Sequence, residues 1–169
     1  EALKKAGIEP VVFQARDGLA TINGSNMITA MGGLEVDDAW RWLKNSEIVA
    51  AMTLEALNAN MKAYDERVHK VRGYPGAITS AENIRKITAG SELLAQPGKK
   101  VQDAYSLRSV AQVVGAARDS WQWAKGMIEI ELNGAADNPI FFPEEELVLT
   151  GANFQGVPQA LALELLGTA

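Results

Sequence analysis

The sequence predicts a mainly α fold, a bundle of long helices carrying one small β-hairpin near residues 140–150. Three observations predict it. Leu107, Val110, Val114, Ala117, Trp121, Ala124 and Ile128 stand at offsets 0, 3, 7, 10, 14, 17 and 21, an a/d stripe sustained for three heptads. Val36, Ala39, Trp40 and Leu43 repeat helical spacing, at offsets 0, 3, 4 and 7. Finally, Asn138-Pro139 starts a turn, after which Ile140-Phe-Phe142 and Leu147-Val-Leu149 flank Pro143 and three glutamates in the manner of a hairpin.

In chain order, Glu1 to Lys5 reads as a short helix stopped by Gly7, and Val11, Val12 and Phe13 as an extended stretch. Asp17 to Asn23 is a compact helical turn, capped by Asp17 and ended by Gly24. Ser25 to about Met61 is helical, and Gly32-Gly33 within it marks a break or a point of close packing. Arg72 to Gly76 forms a turn, Ser80 to Leu94 a helix, and Gln96 to Lys100 a loop. A helix from about 107 to 131 would be roughly 36 Å long. It would cross the whole of a domain of this size and would pack nearly parallel to neighbours in a larger bundle. Gly134 to Gly151 interrupts the helical pattern, and Gln159 to Leu166 is an apolar-rich final helix. There are no internal repeats. The chain opens on Glu1 without a methionine and closes on apolar residues that ask to be docked, so residues 1–169 are expected to be a single segment of a longer polypeptide. The alternative is a self-contained domain.

Composition excludes several classes of function. The 169 residues are one domain's worth, and 47% apolar with 22% charged is a globular balance, neither disordered nor collagenous. No run approaches the ~18 apolar residues of a membrane span, so no membrane partner is expected. No cysteine is present, which removes thiolate nucleophiles, disulfides and thiolate metal sites and suits a reducing cytoplasm. With a single histidine, His69, neither a His-based metal site nor a Ser–His–Asp triad is expected. A net charge of −5 repels nucleic acid.

Four polar clusters remain as candidates for chemistry. Asn23, with Gly24 behind it, is either a helix-end cap or a functional amide. Gln102, Tyr105 and Arg108 recur every third residue at the start of the long helix and project to one side, where the helix dipole favours an anion. A guanidinium offers a carboxylate two parallel hydrogen bonds, so Arg108 can clamp a carboxylic acid; equally, Asp103 can cap the helix and pair with Arg108. Asp137-Asn138-Pro139 is a turn, and Gly151 to Pro158, around Phe154, is either a loop that approaches a ligand or the lead into the last helix. His69 lies in a charged patch and carries no catalytic role. Asp37-Asp38 and Glu144-Glu145-Glu146 are adjacent rather than facing carboxylates, and read as solvated charge.

The wording and order of these clusters resemble the histidine/phenylalanine/tyrosine ammonia-lyase family, which shares its chemistry with the aromatic aminomutases. The matching stretches are Asp17-Gly-Leu-Ala-Thr-Ile-Asn-Gly24, Tyr64-Asp-Glu-Arg-Val-His69, Val101-Gln-Asp-Ala-Tyr-Ser-Leu-Arg108, Val114-Gly-Ala-Ala-Arg-Asp119, Asp137-Asn-Pro139 and Gly151-Ala-Asn-Phe-Gln-Gly156. Six in register over nearly the whole chain identify it as the central part of a family member, the helical bundle core of the ammonia-lyase fold.

The resemblance implies a methylidene-imidazolone (MIO) electrophile made from an Ala-Ser-Gly outside this chain, no metal, and an aromatic amino acid substrate that loses ammonia to give an α,β-unsaturated acid. It places Tyr105 and Asn23 beside the electrophile, Arg108 on the substrate carboxylate with Asn138 assisting, Gln102 in the polar network, and Phe154 against the substrate ring or the prosthetic group. It implies a homotetramer whose active sites draw on several subunits. Ala104 and Ala111 stand where many members carry proline, Gly73 and Ala77 depart from the commoner turn, and Ala152 replaces a usual glycine. These changes spare every implied contact residue. Phe154-Gln155-Gly156 reads more like the phenylalanine-type members. The rival readings are an aromatic 2,3-aminomutase and a catalytically silent helical assembly module, and residues 1–169 alone are expected to be inactive.

Overall fold

A computed structural model describes residues 1–169. The helices run α1 (Ala2–Lys5), α2 (Asp17–Ala20), α3 (Asn26–Ala56), α4 (Glu66–Lys70), α5 (Pro75–Ile87), α6 (Glu92–Ala95), α7 (Tyr105–Arg108), α8 (Val110–Leu132) and α9 (Val157–Thr168). Between α8 and α9, β1 (Ile140–Phe142) pairs antiparallel with β2 (Leu147–Leu149), Phe141 opposite Val148. Both the mainly α architecture and the hairpin match the expectation.

The long helix α8 is the hub, packed against α3, α5 and α9. Every residue of its heptad stripe is shielded, with Ala117 buried and Ala124 and Ile128 fully so. At 1.5 Å per residue its 23 residues span about 34 Å. Helix α3 lies antiparallel to it: Ser25 Oγ donates to Glu131 at 2.9 Å, Trp121 Nε1 to the Val36 carbonyl at 2.8 Å, and Arg118 to Glu47 at 2.6 Å. Gly32-Gly33 does not break α3. It is a point of close packing, since a Cβ on Gly32 would come within 2.7 Å of Ile128 Cδ1. The same device brings α5 onto α8, where a Cβ on Gly76 would sit 2.0 Å from the Gly115 carbonyl oxygen.

Helix ends explain where the observed boundaries differ from the expected ones. Helix α3 stops at Ala56, five residues early, because Asn58 takes a left-handed φ of 52° and the Ala59 amide turns back to the Leu54 carbonyl at 2.9 Å. Helix α5 starts at Pro75 rather than Ser80, since proline suits a first turn and Asp119 Oδ1 accepts the Gly76 amide at 2.8 Å. Gly90, at φ 81°, ends that stretch and separates α6 from it. Asp17 does not cap α2. It is the first residue of that helix, its carboxylate accepts from the Gln14 amide, and Arg16 holds the cap position at φ 76°. The helix expected from 107 to 131 is two pieces, divided at Ser109.

The core runs the length of the α3–α8 contact in three parts. At one end Leu54, Ala59, Tyr64, Ala81, Ile84 and Ala111 form a fully buried apolar cluster. In the middle, Glu47 and Arg118 make a buried two-bonded ion pair (2.6 and 2.7 Å) beside stacked Trp40 and Trp121, and Asn83 donates to Glu47 at 2.9 Å. Toward the other end Gly32, Val36, Ile128 and Ala162 close the bundle. The outward face of α3 leaves Met27, Met31, Leu34, Trp42, Val49 and Met52 exposed. No helix is long and apolar enough to cross a membrane.

Candidate functional site

The six sequence-derived residues fall into two groups at opposite ends of α8. Gln102 precedes α7, while Tyr105 and Arg108 lie on it, just before the N-terminus of α8. Asn23, Asn138 and Phe154 sit on three loops around the C-terminal end of α8. A single copy of the chain therefore places each group at its own end of α8 and keeps the groups about a helix length apart.

At the first end, the local structure corrects the sequence reading. Tyr105 and Arg108 are not in the first turn of the long helix. Their own four-residue turn, α7, ends at Ser109, whose φ of −105° and ψ of 2° interrupt the helix. The helix-dipole argument for anion binding at Arg108 falls with that break. Asp103 neither caps α7 nor pairs with Arg108; its carboxylate accepts the Asn60 amide at 2.5 Å, and Asn60 Nδ2 donates to the Lys100 carbonyl at 2.8 Å. The loop leading to Gln102 is thus tied down, and Arg108 is left without a carboxylate. Its guanidinium rests over the Tyr105 ring, 5.4 Å from the centroid. By contrast Arg16, Arg41, Arg67 and Arg118 are each paired with a carboxylate, and Arg85 donates to the Tyr64 carbonyl at 2.6 Å; Arg72 shares the state of Arg108, without a carboxylate and 5.1 Å from the Tyr74 ring centroid. Gln102, Tyr105 and Arg108 are all exposed, Tyr105 by 72%.

Behind α7 stands Tyr64, which is 1% exposed. Its hydroxyl donates to the Leu107 carbonyl oxygen. Burial, and then the charge of Asp103, raises the Tyr64 phenol well above the ordinary tyrosine range, so the hydroxyl keeps the proton it donates. His69 is buried, with Nε2 at 3.1 Å from the Ala63 carbonyl oxygen.

At the other end, polar links tie the loops together. Asn138 accepts the Gly151 amide on Oδ1 at 2.8 Å, which leaves its Nδ2 as a free donor. The Asn138 amide donates to Asp137 Oδ1, and Asp137 takes two hydrogen bonds from Arg16 Nη2 at 2.7 and 2.9 Å. Arg16 also reaches the Asn138 carbonyl at 3.3 Å and lies 5.6 Å from the Phe141 ring centroid. It sits seven residues before Asn23, so it joins the Asn23 loop to the Asn138 turn. Asn23 is exposed, anchored through its backbone amide to the Leu19 carbonyl at 2.9 Å, and Phe154 is half-buried.

Sequence reasoning missed Tyr64, Arg16 and the Glu47–Arg118 pair. Tyr64 and Arg118 did lie inside stretches singled out for their wording, whereas Arg16 carried no signal beyond standing next to Asp17.

Comparison with known proteins places the chain. The family model for aromatic amino acid lyases matches residues 1–169. Histidine ammonia-lyase of Alkaliphilus metalliredigens is 46% identical over the whole chain, which covers 34% of that protein. Among solved structures, tyrosine aminomutase from Streptomyces globisporus superposes with a TM-score of 0.91 at 34% identity, over 99% of this chain and 36% of that one. Histidine ammonia-lyase from Trypanosoma cruzi gives 0.85 at 34% identity, over 99% and 31%. The chain spans about a third of the length of the curated relatives it matches.

Proposed function

The chain belongs to the aromatic amino acid lyase family, and on that premise we propose that it forms the central part of an MIO-dependent ammonia-lyase that acts in the cytoplasm on an aromatic amino acid, histidine first. The relatives named histidine ammonia-lyase, 43–46% identical, weigh toward histidine against the phenylalanine-type wording of Phe154-Gln155-Gly156.

The observation that carries this reading is the unpaired Arg108 guanidinium, exposed on a turn whose backbone is held from behind. Such a group receives a substrate carboxylate through two parallel hydrogen bonds and so sets the position of the adjoining carbons. The free Nδ2 of Asn138 adds a further donor. Once formed from its Ala-Ser-Gly, the methylidene-imidazolone would supply an electrophile for the substrate amino group. The residues here fit its support, because the exposed Tyr105 hydroxyl and Asn23 amide have hydrogen-bonding capacity to spare. Gln102 extends the polar network at Tyr105, and the half-buried Phe154 ring lies against the aromatic ring of the substrate or the prosthetic group.

Since the two groups of residues are separated by α8, one complete site takes Gln102, Tyr105 and Arg108 from one copy and Asn23, Asn138 and Phe154 from another. The exposed apolar face of α3 supplies surface for that association, in a homotetramer.

The test is the full-length protein assayed with histidine, phenylalanine and tyrosine for ammonia and for the ultraviolet absorbance of the unsaturated acid. Ammonia release from at least one is expected. In Arg108→Ala, kcat/KM should fall about a hundredfold or more, near 2.7 kcal/mol of transition-state stabilisation. A β-amino acid as the main product would favour the aminomutase reading, which the likeness to tyrosine aminomutase keeps in play. No turnover of any of the three would leave a silent assembly module.

A further inference from the structure

The division of the long helix at Ser109 has a structural cause, and it points to a residue that acts on the proposed site without touching substrate. In an uninterrupted helix the Leu107 carbonyl would accept the Ala111 amide, four residues on. Here the chain resumes with the Gln112 and Val113 amides both on the Ser109 carbonyl, at 3.1 and 3.0 Å, and no backbone amide reaches Leu107. A partly buried carbonyl in that position needs a donor, and the Tyr64 hydroxyl provides it.

Tyr64 is well placed to hold such a bond. Its ring is enclosed by Leu54, Ala59, Ala81, Ile84 and Ala111, with Leu107 and Val110 against the same cluster. Its own carbonyl accepts from Arg85 Nη1 at 2.6 Å, and its hydroxyl remains a donor over the working range of pH. Leu107 lies between Tyr105 and Arg108 in sequence. The hydroxyl therefore grips the middle of the turn that presents both candidate contact residues.

We infer that Tyr64 is a positioning residue: its hydroxyl stands in for the missing helical amide at Leu107, keeps α7 offset from α8, and so aims Arg108 and Tyr105 into the site. The inference rests on the functional reading above. It adds that the direction of the Arg108 guanidinium is set by a buried phenol that grips Leu107 from 43 residues earlier in the chain.

Tyr64→Phe in the full-length protein removes the hydroxyl and keeps the ring. Its partner variant Ile84→Val trims the same cluster without touching the Leu107 carbonyl. If Tyr64 positions Arg108, Tyr64→Phe raises KM and the inhibition constant of the unsaturated acid product by about tenfold, because both ligands present a carboxylate to Arg108. It also speeds amide exchange in a peptide covering residues 105–110. Ile84→Val lowers Tm yet leaves KM and the inhibition constant at the wild-type values. Unchanged KM, inhibition constant and exchange in an active Tyr64→Phe would overturn the inference alone, as would equal shifts in both variants. A wild type that converts no aromatic amino acid would overturn the functional reading, and this inference with it.

Discussion

The two ends of α8 present candidate site residues in opposite ways. At its N-terminal end, Tyr105 and Arg108 stand on a four-residue turn laid over the fully buried cluster of Leu54, Tyr64, Ala81, Ile84 and Ala111, with a phenol, a carboxylate and an amide side chain anchoring the backbone behind them. At its C-terminal end, Asn23, Asn138 and Phe154 ride on loops whose surroundings are exposed, and Phe141, Val148 and Leu149 of the hairpin are half open to solvent. There the loops are joined mainly by polar links: Arg16 to Asp137, Gly151 to Asn138, Ser25 to Glu131. One end takes its geometry from hydrogen bonds backed by a close-packed cluster, the other from hydrogen bonds that water can compete with. A side chain backed by a close-packed core is held by many contacts at once, while one held by a single ion pair moves when that pair is lost.

The largest expected effect comes from the strut between the ends. Arg118→Met leaves Glu47 buried without its cation, which should cost about 3–5 kcal/mol and lower Tm sharply. Adding Glu47→Met removes the stranded charge and should recover part of the loss, so a double variant no more stable than the single would show that the strut matters through packing alone. Next comes Arg108→Ala, with its loss of about a hundredfold in kcat/KM. The residue is exposed and its guanidinium meets no carboxylate, only the exposed Tyr105 ring, so stability should stay within about 0.5 kcal/mol of wild type. A variant that loses activity and stability together would erase the contrast between backing and presented group.

Smaller again is Arg16→Ala. Its ion pair with Asp137 is one-third to two-fifths exposed, so the stability change should be about 1 kcal/mol or less after solvent screening. The expected readout is faster amide exchange in residues 134–142, with residues 105–110 unaffected. Matching changes at both ends would mean that the ends are coupled through α8. Last, Glu145→Ala at the tip of the exposed hairpin turn should alter stability by no more than about 0.5 kcal/mol in a denaturant titration; a larger change would give that turn a role that its exposure does not suggest.

Much of this contrast was hidden at the level of sequence. The heptad stripe of α8 was legible because a burial period of 3.5 needs only the spacing of Val110, Val114, Ala117, Trp121, Ala124 and Ile128. The hairpin was legible from Pro143 and the glutamates between two apolar runs. The candidate site residues were named through their wording, in six stretches that resemble an aromatic lyase. The break at Ser109 was not, because nothing within one turn of it departs from helical chemistry, and the donor that replaces the lost amide comes from Tyr64. Nor was the fate of Asp103, which local rules assign to a cap or to Arg108 and which instead reaches back to Asn60.

By itself, then, the sequence determined the helical content, the buried stripe, the hairpin and the set of polar residues available for chemistry, since each depends on neighbours within a turn or two of chain. Only the tertiary structure decided that the set divides between two ends of one helix, that Arg108 is free while Arg118 is spent on Glu47, and that Arg16 joins two loops 121 residues apart. Pairings at that separation are chosen by how whole helices pack, through contacts such as Gly76 on Gly115 and Gly32 on Ile128, and no local pattern encodes them.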